Sequence, residues 1–297
     1  MKRRIVFWGG LGLALGLGIA FALPATRYPI LGFLGDEPLY DGRPTRYWIA
    51  ALKEDNPEGR RRAALNLGDV GVGKDSAQDD PECRRVVAAL VEALGDSDGF
   101  VRKCAATSFL MYPKEAPVPQ DRSSVEHLTG ALGDDEVAVR RAAARALWQA
   151  GAAAKEADGV ARLTKALEDK DDFVRAYACR ALARIGPDAE AAVPTLLVCL
   201  RQDEERDVRK LAAKTLGLIG AKAIGPLLSE TVQALTDALT GEPPGLREYA
   251  ARSLGQLGDK KALPALRKAA LDPNGQVRAS AAEALKLLES TAAEKAP

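Results

Sequence analysis

Over most of the chain, apolar positions recur at helical spacing, and one such stretch returns seven times. Its mark is a Val-Arg pair: Val101-Arg102, Val139-Arg140, Val174-Arg175, Val208-Arg209 and Val277-Arg278, with Leu246-Arg247 and Gly59-Arg60 as variants. The seven arginines are spaced 42, 38, 35, 34, 38 and 31 residues apart. Three residues after each arginine stands alanine: Ala63, Ala105, Ala143, Ala178, Ala212, Ala250 and Ala281. Seven residues after it stands Leu or Phe, from Leu67 and Phe109 to Leu254 and Leu285. The residue before the arginine and those three and seven after it share one helix face. Eleven residues on, five copies carry a terminating glycine: Gly71, Gly151, Gly186, Gly220 and Gly258. Acidic turns such as Asp134-Asp135-Glu136 and Asp169-Lys170-Asp171 precede the arginine, where acids favour a helix start. Another apolar helix precedes each turn, for example over Leu196 to Leu200. Each unit therefore reads helix, turn, helix, and no stretch shows sustained strand alternation.

A single helix pair cannot bury both of its faces, so stacked copies build one continuous core. Small residues at positions three and four let neighbouring pairs approach closely. The expected fold is all-α: an α-solenoid of about seven stacked helix pairs over residues 45–290, after a linker at 28–44 and before a tail at 291–297. Val72 to Glu82 and Tyr112 to Ser124 interrupt the period as loops, and Gly241-Glu242-Pro243-Pro244-Gly245 is a stiff turn.

The pattern D-x-x-x-V-R-x-x-A-x-x-x-L-x-x-x-G resembles HEAT repeats, in particular the short bacterial kind also called phycobilisome-lyase-type. The copies from Val139 to Gly151, Val174 to Gly186 and Val208 to Gly220 match it best. The resemblance implies a protein-interaction scaffold, with the repeat arginines bonded to acids in adjoining turns. The segment Gly42-Arg43-Pro44-Thr45-Arg46-Tyr47-Trp48 is similar to segments preceding the repeats in exported bacterial HEAT proteins. Tyr47 and Trp48 are expected to cover an open end of the stack.

The N-terminus breaks the pattern. After the basic start Lys2-Arg3-Arg4 come 19 uncharged residues, Ile5 to Leu23. As a helix they would extend about 28 Å, close to the hydrocarbon thickness of a bilayer. Basic residues before the span keep that end cytoplasmic and send the rest across. Residues 1–27 thus read as a signal anchor. The alternative is a signal peptide cleaved near Ala20-Phe21-Ala22, leaving a secreted or periplasmic chain.

Charge and composition narrow the function. The chain holds 42 basic and 41 acidic residues, and 54 of its 297 residues are alanine, the strongest helix former. Four of the basic residues and no acid lie within residues 1–27, so the remainder carries a balance of −3. That argues against nucleic acid as a partner. Among enzymes of similar repeat type, iron-binding hydroxylases need His-Glu pairs, but the single histidine, His127, precedes Leu128. Glycosylases need a basic cleft, and bilin lyases act on a substrate that an exported chain would not meet. No catalytic residue, cofactor, metal or small molecule is assigned. The four cysteines form no Cys-x-x-Cys. Buried free thiols and disulfides (Cys83 with Cys104, Cys179 with Cys199) both remain open.

One feature goes beyond scaffold. Positions one, five and nine after each arginine point away from the expected core, on the helix that lines the concave side in this type of repeat. They carry Arg141, Arg145, Arg180, Arg184, Lys210, Lys214 and Arg252. This basic stripe is expected to bind an acidic segment of a partner protein. The alternative is a structural or assembly subunit of an envelope complex or, further off, a lyase-like accessory protein.

Overall fold

The computed structural model describes residues 39–70 and 80–293. The expected membrane segment at 1–27 lies outside the described residues, as do Gly71 and most of the Val72 to Glu82 loop. Among the described residues no single helix is long and apolar enough to cross a membrane. The chain divides into two compact units, Met1–Pro117 and Val118–Pro297.

The first unit opens on a hairpin, β1 (Leu39–Tyr40) paired antiparallel with β2 (Arg43–Pro44). Asp41 and Gly42 form its turn, both at positive φ (50° and 71°), as a two-residue hairpin loop demands. These residues fall within the stretch that the sequence assigns to a linker. Helices α1 (Thr45–Ala51) and α2 (Pro57–Val70) follow, then α3 (Pro81–Ala93) and α4 (Gly99–Met111). Trp48 is buried and its indole N–H donates to the Tyr40 carbonyl at 2.9 Å. Tyr47 meets it edge-on, with the Arg43 guanidinium 4.1 Å from the Tyr47 ring. Tyr112 anchors the start of the following loop: its hydroxyl donates to the Leu67 carbonyl at 2.7 Å, and burial pushes its pKa up.

The second unit alternates first and second helices of each pair. The first helices are α5 (Arg122–Ala131), α7 (Gly159–Ala166), α9 (Val193–Gln202), α12 (Leu228–Ala238) and α14 (Leu263–Ala269). The second helices are α6 (Val137–Ala150), α8 (Asp172–Ile185), α10 (Arg206–Ile219), α13 (Pro244–Leu257) and α15 (Gly275–Ala293). A short helix, α11 (Ala221–Ile224), follows α10. Second helices pack in series, α6 on α8, α8 on α10, α10 on α13 and α13 on α15, so the pairs of this unit stack as a solenoid does.

The repeat pattern explains the packing. All seven position-three alanines are fully buried, as are six of the position-seven residues. Helix ends follow the sequence too: Gly151 and Gly186 close α6 and α8 at φ 64° and 70°, a conformation that costs glycine little. Helix starts are capped by Asp98, Asp121 and Asp171, whose carboxylates accept from Val101, Ser124 and Val174 N–H.

Neighbouring second helices touch nearly backbone to backbone. The Thr215 hydroxyl donates to the Cys179 carbonyl at 3.0 Å, and the Ser253 hydroxyl to the Ala213 carbonyl at 2.8 Å. Position eight is glycine on α10 and α13, at Gly217 and Gly255. A Cβ added at Gly255 would stand 2.8 Å from both the Cα and the Cβ of Ala284, and one at Gly217 would stand 2.4 Å from the Ser253 Oγ.

Gly255→Ala provides a test. Alanine gains about 1 kcal/mol of helix propensity, while overpacking costs about 1–3 kcal/mol. The Ala284 backbone cannot swing aside as a side chain can, so overpacking wins. The expected outcome is a melting temperature below that of the wild type, and a higher one would show that α13 and α15 have room to part.

Candidate functional site

Four second helices, α2, α6, α8 and α13, are tied to the next turn by a planar two-point bond. The Arg175 Nε and Nη2 donate to both Asp203 carboxylate oxygens at 2.8 and 2.9 Å. The same fork joins Arg140 to Asp169 at 2.7 and 3.1 Å, Arg247 to Asp272 at 2.8 and 3.1 Å and, in the first unit, Arg60 to Asp96 at 2.8 and 2.9 Å. The remaining Nη1 of Arg175 reaches back to the Asp169 and Lys170 carbonyls of its own turn, at 2.9 and 3.3 Å. Asp203 in turn accepts the Glu205 N–H at 2.9 Å. One aspartate thus shapes its own turn and receives the arginine of the preceding repeat. Arg209 departs from the rule. The equivalent of the aspartate one repeat on is Gly241, and Arg209 donates instead to the Glu242 carbonyl at 3.3 Å. That turn contains a cis Glu242-Pro243 bond.

A second rung uses position one. Arg61 forks onto Asp98 at 3.1 and 2.7 Å and Arg141 onto Asp171 at 2.9 and 2.6 Å. The Arg61 fork, helped by the Val101 N–H, pulls Asp98 down to about 2. Arg141 likewise holds Asp171 below the usual carboxylate range, and Arg247 does so for Asp272.

These ties sort the expected basic stripe. Arg141 is engaged by Asp171, Lys210 by Asp207 at 2.5 Å within its own helix, and Arg252 by Glu248 at 3.0 Å. The exposed Arg184 donates to the Trp148 carbonyl at 3.2 Å. Arg145 is only 4 % exposed, so the row open to solvent begins one helix later than the sequence suggests. Arg180 and Lys214 remain. Both are half-buried, and neither has a hydrogen-bonded acid among the described residues.

The sequence reading overlooked the aromatic rings beside these cations. The Arg180 guanidinium lies 5.1 Å from the Tyr177 ring and 5.9 Å from the Trp148 ring. Trp148 meets Tyr177 edge-on at 5.5 Å, and the Phe173 ring lies 4.4 Å from that of Tyr177. Tyr249 sits 5.6 Å from both the Lys214 ammonium and the Arg252 guanidinium. The available signal was Trp148 itself, which occupies position eight, where three other copies have Gly68, Gly217 and Gly255. The result is a face of α8, α10 and α13 where cations alternate with rings, an arrangement that favours attraction between them.

Nothing in the described residues points to covalent chemistry. The four cysteines carry free thiols, three of them buried. Burial pushes Cys199 up to about 11 and Cys179 well above the ordinary thiol value, which keeps them protonated. His127 is exposed on α5. Among the described residues no three His, Cys, Asp or Glu side chains are grouped to hold a metal ion.

The HEAT repeats family matches residues 45–148, 125–217, 160–233 and 232–295. The chain belongs to the HEAT repeat family. Solved structures agree at the level of fold. An engineered protein whose crystal structure comes from the Northeast Structural Genomics Consortium is similar with a TM-score of 0.66, at 24 % identity over 84 % of this chain and 69 % of its own. Two further engineered proteins from that consortium, at 22 % and 21 % identity, give TM-scores of 0.54 and 0.52 over 83 % of this chain and 96 % and 98 % of theirs. Among curated proteins no significant match is found. A HEAT fold is typical of protein-interaction scaffolds.

The HEAT ladder predicts unequal costs for two acidic side chains. The Arg175–Asp203 pair is nearly shielded (14 % and 6 % exposed), whereas Arg201–Glu230 is open (40 % and 48 %). Asp203→Ala strands a shielded guanidinium and frees a turn N–H, and should cost about 2–4 kcal/mol. Glu230→Ala should cost under about 1 kcal/mol. Denaturant melts of the two variants check this, and equal costs would show that the ladder is decorative.

Proposed function

We propose that this HEAT protein is a non-enzymatic scaffold, exported and tethered by its N-terminal apolar segment, that binds an acidic segment of a partner protein. The cations at issue are those named above: Arg141, Arg145, Arg180, Arg184, Lys210, Lys214 and Arg252. One observation carries the reading. Arg140, Arg175 and Arg247 are consumed by the ladder, yet Arg180 and Lys214 stand on the adjoining face with rings beside them and no acid bonded to them. Cations left in such a position offer charge complementarity to an acidic partner, which steers encounter and sets register. Tethering would serve the same role, because a scaffold held at a membrane raises the local concentration of whatever it binds there.

Two experiments test this reading. The first captures partners from a detergent-solubilised native envelope with the full chain, at low and high salt, beside an Arg180→Glu, Lys214→Glu variant. The expected result is a protein retained by the wild type at low salt and lost both at high salt and with the variant. Equal retention by both chains would remove the face from the function. The second fuses to the C-terminus a phosphatase that folds only outside the cytoplasm. Activity is expected from the full chain and silence once residues 5–23 are deleted, and an inactive full-length fusion would overturn export.

A further inference from the structure

The partner's backbone conformation and the spacing of its acids follow from the row of position-five side chains, an inference that rests on the scaffold reading above. Along the second unit this position carries Arg145, Arg180, Lys214, Arg252 and Glu283, on α6, α8, α10, α13 and α15 in turn. Arg145 is buried, and Glu283 is exposed and of opposite charge. Three cations on three consecutively packed helices therefore form the usable row, with a defined beginning and end. The neighbouring acids are Asp171 and Asp172 at the start of α8, Asp207 at the start of α10 and Glu248 on α13. Asp171 is held by Arg141, Asp207 by a bond from Lys210 with a weaker electrostatic pull from Arg180, and Glu248 by Arg252. Arg180 and Lys214 are thus the members whose charge is least committed.

Arg180 is the anchor. Its Nε is buried without a hydrogen-bond partner, and the rings of Tyr177 and Trp148 flank the guanidinium at 5.1 and 5.9 Å. Its other two nitrogens make no hydrogen bond among the described residues. A guanidinium braced in this way loses little side-chain freedom when it takes a carboxylate in two-point fashion. Lys214, beside Tyr249, supplies a point charge one helix further on.

Packed helices lie about 8–10 Å apart. A polyproline II strand repeats its side-chain direction every three residues and rises about 9.3 Å in doing so. An extended β-strand returns each side chain to the same face every second residue, at about 6.6 Å, and falls out of step with the row. An α-helix returns a side chain to one face at about 5.4 Å over one turn and about 10.5 Å over seven residues, below and above that spacing. We infer that the row of Arg180, Lys214 and Arg252 receives a partner segment in polyproline II conformation with a carboxylate at every third residue, three acids in all. Leu218, 39 % exposed and four residues beyond Lys214 on the same helix, offers contact to an apolar residue, such as proline, between two acids.

The test uses the full chain and two fluorescein-labelled peptides read by fluorescence anisotropy at low salt. One is the tripeptide Glu-Pro-Ser repeated three times. The other has the same composition with its three glutamates adjacent. The spaced peptide is expected to bind about tenfold tighter, equivalent to about 1.4 kcal/mol. Arg180→Gln with Lys214→Gln should remove that preference while circular dichroism reports an unchanged fold. Glu283→Lys, on an exposed position, lengthens the row by one helix. It should make a four-repeat peptide bind several-fold tighter than the three-repeat one, a gain the wild type lacks. Equal binding of the spaced and adjacent peptides, or no gain from Glu283→Lys, would overturn the register. Failure of the peptides alongside a salt-sensitive, Arg180-dependent capture would overturn the register alone, whereas capture indifferent to Arg180 and Lys214 would overturn the face itself.

Discussion

The two-point bond from a repeat arginine to the aspartate of the following turn is the constraint on which the rest depends. Hydrophobic burial holds the helices together but is non-directional. The guanidinium–carboxylate fork is planar and fixes orientation. It is also shared: Asp203 accepts from Arg175 of one repeat and from the Glu205 N–H of its own, so turn and stacking are set by the same atoms. Nearly buried ion pairs carry a desolvation cost. Here that cost is offset because every arginine nitrogen in the fork has a partner, the third being bound by carbonyls of its own turn.

Small residues make this geometry reachable. With alanine at position three and glycine or alanine at position eight, adjacent second helices come within hydroxyl-to-carbonyl distance, as at Ser253 and Ala213. Trp148 departs from this: an indole stands at position eight, where α10 and α13 place glycine, and its ring joins a cluster with Tyr177 and Arg180. The ladder gathers acids at the turns, while the cations it does not use fall on the helix face beside it.

Much of the fold was legible because a repeat declares itself by recurrence. The period, the buried alanines, the helix-ending glycines and the capping acids all follow from local rules that the same residues obey again and again. The short hairpin at Leu39–Pro44 was less visible, since two-residue strands carry no periodicity, although Asp41-Gly42 is a turn signal. The site was only half legible. Spacing gave the direction in which Arg180 and Lys214 point, but not which cations were already engaged. Arg141 finds Asp171 thirty residues away, in the next repeat. Nor did spacing reveal that Arg145, at the same position as Arg180, is buried. Both facts depend on how far one helix stands from the next, which a one-dimensional pattern does not contain.

The substitution of Gly241 for the ladder aspartate gives the second unit a seam. Elsewhere in that unit a shielded arginine–aspartate fork spans the joint between second helices, whereas between α10 and α13 Arg209 meets a carbonyl, and the ion pair that crosses this joint is the exposed Arg201–Glu230 of the first helices. Its second helices are held by close packing around Gly217 and Ser253 and by the Ser253 hydroxyl donating to the Ala213 carbonyl. Van der Waals contact resists separation steeply but over a short distance, while an ion pair pulls over a longer one. Loss of aspartate charge in acid would weaken the forked joints of this unit and change this one least, because it has no ladder aspartate to protonate.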